Sequence, residues 1–229
     1  MIFGRSLQEL IFMIPVIIIA FSCHEYAHAR AACSLGDQTA RYMGRMTLNP
    51  KNHLDPIGAL ALLFFGFGWA KPVPVNMHNL KMKNKYLGMT LVSLAGPLMN
   101  FLLAGVSTLL VISLNSLLSP YFDVWSESAV SLIINGFIFF TLFGYINIVL
   151  GIFNLIPVPP LDGSKILLGL LPYNLASKLY QYERYGFIIL IILMFSGVLG
   201  RLISPVINWY LINIISITGS WEIYLFFSS

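Results

Sequence analysis

The chain has 229 residues, of which 58% are hydrophobic and 10% charged, with a mean hydropathy of +0.82. Soluble domains carry about 25% charged residues, so this composition excludes one and indicates a membrane protein. The net charge of +4 is no nucleic-acid signal, because eight of the thirteen basic residues fall between Arg30 and Lys85, at membrane boundaries.

Taken in chain order, the first apolar run, Leu10 to Cys23, covers 14 residues without a charge. As a helix it reaches about 21 Å, short of a ~30 Å bilayer core. The helix therefore continues through HEYAH at 24–28, which sets that polar cluster inside the bilayer. The run has no small-residue cleavage site and does not read as a removable signal peptide. Cys23 and Cys33 lie too far apart along one helix for a disulfide and read as small buried hydrophobes.

The segment Pro56 to Ala70 is 15 residues with three glycines and reads as re-entrant or interfacial. KPVPV follows at 71–75, where alternating prolines suit an extended edge strand. Two long uncharged runs come next, Tyr86 to Phe122 with 37 residues and Ser128 to Leu161 with 34. The loop between them carries Asp123 and Glu127 but no base, so it faces away from the cytoplasm. The basic loop from Arg30 to Lys85 and the segment holding Lys165, Lys178 and Arg184 then lie on the cytoplasmic side. Two C-terminal apolar runs, Tyr185 to Gly200 and Leu202 to Trp221, are interrupted by Arg201 and Pro205 and read as one kinked helix or two. The expected fold is an all-α polytopic membrane protein, a bundle of about 4–6 transmembrane helices with a re-entrant or edge-strand segment near the active site.

Ionisable groups at membrane depth cost at least about 2.5–3.5 kcal/mol each and call for a compensating partner. His24 and His28 are four residues apart on one helix face and can share a cation. Glu25 lies on the neighbouring arc, within reach of a water on that cation, which is the mechanical sense of H-E-x-x-H. Two stacked core histidines are the bland alternative. A zinc site needs a third ligand. The third histidine of the extended pattern would fall at position 34, which is Ser34. His53 and His78 lie in the basic loop and read as solvated or interfacial. Asp37 and Asp55 read as loop acids, Asp37 at the surface, and Glu183 as a surface residue. Asp162 stands out, because FNLIPVPPLDG sets it just after an apolar span, on backbone that three prolines keep from forming a regular helix.

HEYAH at 24–28, SLAGPLMN at 93–100 and NLIPVPPLDG at 154–163 resemble the site-2 protease family of intramembrane zinc metalloproteases, over a core from about residue 7 to 172. The resemblance implies that His24, His28 and Asp162 hold one Zn2+ per chain and that Glu25 is the catalytic base. It also implies that Gly68 to Asn76 corresponds to the family's membrane-associated strand segment, so that Lys71, Pro72, Val73, Pro74 and Val75 could receive an unwound substrate as an added strand. Asn154 resembles the family's motif asparagine, with a substrate or oxyanion contact and a helix-packing role equally open. Asn100, with Gly96 and Pro97, reads as shaping close helix packing.

Residues 1–229 are expected to form a single intramembrane protease domain of the minimal form without PDZ or CBS domain, with C-terminal apolar helices at about 185–221. The expected partners are transmembrane protein substrates and the lipid bilayer, with no nucleic acid, in the plasma membrane with the active site toward the cytoplasm. Nothing in the pattern specifies an oligomeric state. The competing readings are a proteolytically inactive zinc-binding membrane scaffold, which has no use for Glu25, and a metal transporter. The two long spans offer no acid, base or histidine as a relay, which disfavours transport.

Overall fold

A computed structural model of the chain describes residues 7–58, 68–181, 183–219 and 226. Among these, four helices are long and apolar enough to cross a membrane. They are α1 (Leu7–Ser34), α3 (Lys85–Leu118), α4 (Glu127–Leu155) and α8 (Val198–Thr218). Their lengths of 28, 34, 29 and 21 residues correspond to roughly 42, 51, 44 and 32 Å at 1.5 Å per residue. Short helices among the described residues include α2 (Thr39–Tyr42), α5 (Asp162–Leu170), α6 (Tyr173–Tyr180) and α7 (Gly186–Phe195). The chain is an all-α polytopic membrane protein. The re-entrant reading of Pro56 to Ala70 concerns a stretch of which 59–67 lie outside the described residues.

Local chemistry sets the helix ends. Asn84 caps α3 by accepting from Leu87 N at 3.1 Å, and Ser126 caps α4 through Ala129 N. Helix α4 stops at Leu155 because Pro157, Pro159 and Pro160 cannot continue it, and α5 restarts at Asp162. The C-terminal break falls elsewhere than the sequence suggests. Arg201 and Pro205 both lie within α8, and the turn comes earlier, at Ser196 and Gly197, where Gly197 has φ +73°. A left-handed glycine ends a helix outright, whereas Pro205, the eighth residue of α8, forfeits one N–H bond within a helix that continues past it.

Helices α3 and α4 run antiparallel, and buried polar pairs mark their register. Asn100 Nδ2 donates to Asn147 Oδ1 at 2.8 Å, and Ser107 Oγ to Phe140 O at 2.5 Å. Position numbers sum to 247 at both levels, as expected of two straight antiparallel helices in one register. Further along, Val111, Phe137 and Ile138 pack with Tyr210 and Ile214 of α8, while Met13, Val16 and Ile17 of α1 pack on Leu142. Tyr210 OH donates to Thr141 O beside Gly144, whose missing side chain leaves room for the phenol. This apolar core fills the half of the bundle away from the HEYAH level. Leu98, Leu102, Leu109, Leu117 and Leu132 point outward, where a bilayer solvates them.

Candidate metal centre

The C-terminal half of α1 passes against α3 and the start of α5, and three donors converge there. His24 Nε2 and His28 Nε2 are 3.0 Å apart, and Asp162 Oδ2 lies 3.2 and 3.1 Å from them. All three residues are buried. Two nitrogen ligands of a tetrahedral zinc, each at about 2.0–2.1 Å, are themselves roughly 3.3 Å apart. The spacing therefore matches ligands sharing one small ion. The α1 register brings the histidines to one face, and the proline-rich passage 157–160 lets Asp162 approach from the far end of α4.

The outward nitrogens are already committed. His28 Nδ1 donates to the backbone carbonyl of Val92 at 2.8 Å, and because a carbonyl can only accept, Nε2 carries the lone pair in the neutral ring. His24 Nδ1 lies 2.6 Å from Asn100 Oδ1. A ring nitrogen held by a carbonyl or carboxylate leaves the other free for a metal, the usual arrangement around ligating histidines. The hollow above the rings is kept open by Gly96. A Cβ there would lie 2.6 Å from His24 Nε2 and closer still to His28 Nε2. The donor set and the hollow fit zinc.

Glu25 is buried beside the pair, and its Oε2 accepts from Val73 N at 2.8 Å. Residues 71–76 are thus tied to α1, but they form no strand among the described residues, where the only β-type pairing is an isolated antiparallel bridge between Leu54 and Ala70. Lys71 N donates to His53 O, and the Arg45 guanidinium donates to the carbonyls of Lys71 and Pro72. Lys71 and Pro72 are exposed, Val73 is buried, and Pro74 and Val75 are half-buried. Asn154 is half-buried, and its Nδ2 donates to Leu150 O of its own helix at 3.0 Å.

Asp37 departs from its surface reading, since it is fully buried. Gly36, at φ +106°, turns the chain back beneath α1, and Asp37 accepts from Thr39 N, Thr39 Oγ1, Asn76 N and Asn79 Nδ2. Burial pushes its carboxyl up, but these donors together outweigh it and hold the group below the ordinary carboxylate range. Asp55 accepts from Ile57 N and Gly58 N, His53 is buried against Thr47 O, and His78 is exposed. None of these three is in the His24–His28–Asp162 cluster. What sequence reasoning missed is Asn100 as the partner of His24. The signal was available, because an asparagine four residues after Gly96 in an apolar span must find a partner on the same helix face.

The family model of peptidase family M50 matches residues 12–197. The chain belongs to peptidase family M50. As a member of this family, the site-2 proteases, it is a metalloprotease, and the family implies zinc. A Bacillus subtilis (strain 168) protein named "Putative zinc metalloprotease YwhC" is 38% identical over 197 residues, 86% of each chain. Proteins named "Putative zinc metalloprotease Rip2" from Mycolicibacterium smegmatis and Mycobacterium tuberculosis are each 27% identical, over 84% of this chain and 70% of their own. No solved structure gives a significant match.

Proposed function

We propose that this M50 protease is an intramembrane endopeptidase that cuts peptide bonds within or near the transmembrane helices of other proteins, acting as one domain at the cytoplasmic side of the plasma membrane. The observation that carries this reading is the convergence of His24 Nε2, His28 Nε2 and Asp162 Oδ2 within the span-forming part of α1, with both outward ring nitrogens already bonded. In this reading the three residues hold one zinc per chain. Zinc bound there would supply Lewis acidity, to activate a water and polarise a carbonyl.

The chain's own groups do the rest. Glu25 takes the proton of the attacking water and returns it to the leaving amine, the role of a positioned carboxylate base. Val73 N–H occupies Oε2, so Oε1 is the oxygen that would take the proton in this reading. A substrate helix must unwind before its carbonyls can be attacked, since they are otherwise bonded within the helix. Pro72 and Pro74 have no N–H and Val73 N–H is taken, but Val75 N–H has no partner among the described residues and is free to pair with an unwound segment. Asn154 spends one Nδ2–H on Leu150 O and would meet a substrate oxygen with the other.

The test is zinc per protein molecule after detergent purification, for wild type, Glu25→Gln and Asp162→Ala, followed by cleavage of a reporter transmembrane peptide. About one zinc is expected in wild type and Glu25→Gln and a marked loss in Asp162→Ala, as for a three-ligand site. Cleavage is expected from wild type alone. Wild-type-level zinc in Asp162→Ala would place the third ligand elsewhere. Full cellular function in Glu25→Gln would favour the scaffold.

A further inference from the structure

His24 needs its proton on Nδ1 if Nε2 is to offer a lone pair, and the group that faces Nδ1 is a side-chain amide. An amide can turn either end to its neighbour. His28 has no such freedom, because a backbone carbonyl faces it. What decides the Asn100 orientation lies one step further out. Asn147 Nδ2 donates to Phe143 O at 2.8 Å, and a carbonyl can only accept. Asn147 therefore presents Oδ1, not its amino group, to Asn100. Asn100 must then direct its Nδ2 to Asn147 and its Oδ1 to His24. Every donor and acceptor in the relay is set by one carbonyl on α4, three bonds from the ring. Asn100 and Asn147 are both fully buried, so no water can substitute for a missing link without rearrangement.

We propose that Asn147 is a positioning residue for the metal centre. Through Asn100 it fixes the tautomer and ring plane of His24, although its own hydrogen bonds go to Asn100 and Phe143 O and not to the donor cluster. The inference rests on the reading of His24 as a zinc ligand. It also assigns a reason for Asn147, one of three asparagines in α4, at the level where α3 opposes it with Asn100.

The experiment measures zinc affinity by competition with a chromophoric chelator in detergent. Asn147→Leu keeps the branched four-atom skeleton but removes both the donor and the acceptor. Its dissociation constant is expected to rise roughly 10- to 100-fold, the range for loss of an outer-shell partner. Asn147→Ala, a smaller change, carries the same comparison if the leucine variant does not fold. The deciding variant is Asn100→Asp, whose carboxylate accepts from His24 whichever way it turns. In that background Asn147→Leu should lose little further affinity. Long-range 1H–15N spectra of the metal-free protein give an independent readout. His24 should change from a single Nδ1–H tautomer to a mixture in Asn147→Leu, while His28 stays unchanged. Wild-type affinity in Asn147→Leu would overturn the proposal, as would an equal loss in the Asn100→Asp background, which marks a packing role. Absence of zinc from the wild type would instead sink the metal reading beneath it.

Discussion

Adding one methyl group at Gly96 is the sharpest perturbation of this site that leaves all four candidate residues in place. The alanine Cβ would lie 2.6 Å from His24 Nε2, where ordinary contact begins at 3.4 Å, a shortfall of 0.8 Å. The atom it meets belongs to a ring whose other nitrogen is bonded to Asn100, so the ring cannot swing away cheaply. Metal–ligand distances tolerate only about ±0.2 Å, and the needed displacement is several times that. Overpacking of this kind costs about 1–3 kcal/mol. If that cost falls on the bound state, zinc affinity drops roughly 5- to 150-fold. The assay is chelator competition on Gly96→Ala, with Gly105→Ala on the same helix as control, since nothing lies within 4 Å of a Cβ there. The control should hold zinc as the wild type does and be slightly more stable, by about 0.4–1 kcal/mol. Gly96→Ala with zinc affinity within about twofold of wild type would refute the placement of the metal in the hollow under Gly96.

Val73→Pro removes the N–H that Glu25 accepts, and should cut turnover about 10- to 100-fold, as for a lost bond to a charged group, at unchanged zinc content. Unchanged cleavage would show that the Val73 amide does not serve the proposed role of Glu25. Asp37→Asn should separate from wild type in thermal stability near neutral pH. The folded Asp37 carboxyl lies below its ordinary value of 3.8, so its stabilisation is present above that value and lost as pH falls through the folded one. The gap between the two proteins should therefore shrink in acid, and a gap constant from pH 7 to pH 3 would contradict the assignment. Tyr210→Phe removes the hydroxyl bonded to Thr141 O and should lower stability by about 1 kcal/mol without affecting zinc.

Much of this was legible in the sequence, for physical reasons that differ by residue. His24 and His28 are one helical turn apart, so periodicity alone puts them together. Asp162 is 134 positions from His28, and it was singled out by its place on broken backbone after an apolar span together with the family resemblance of NLIPVPPLDG. The long spans were set by uncharged length. Three things could not be read. The bond from His28 to Val92 uses a backbone carbonyl, which leaves no mark in the side-chain pattern. The burial of Asp37 depends on Asn76 and Asn79 arriving from 39 and 42 residues away. The C-terminal break hung on competition between Gly197, Arg201 and Pro205, which local propensity does not resolve.

The extended residues 71–76 are moored to α1 at two points, Val73 to Glu25 and Asn76 to Asp37. Both moorings end on carboxylates carried by one helix or the turn that closes it. The segment and Glu25 therefore share a single frame of reference, and a shift of α1 displaces them together. On the proposed reading of Glu25 as base, room for an incoming substrate has to be made by elements outside that frame, with the spacing between Glu25 and residues 71–76 set by α1 itself.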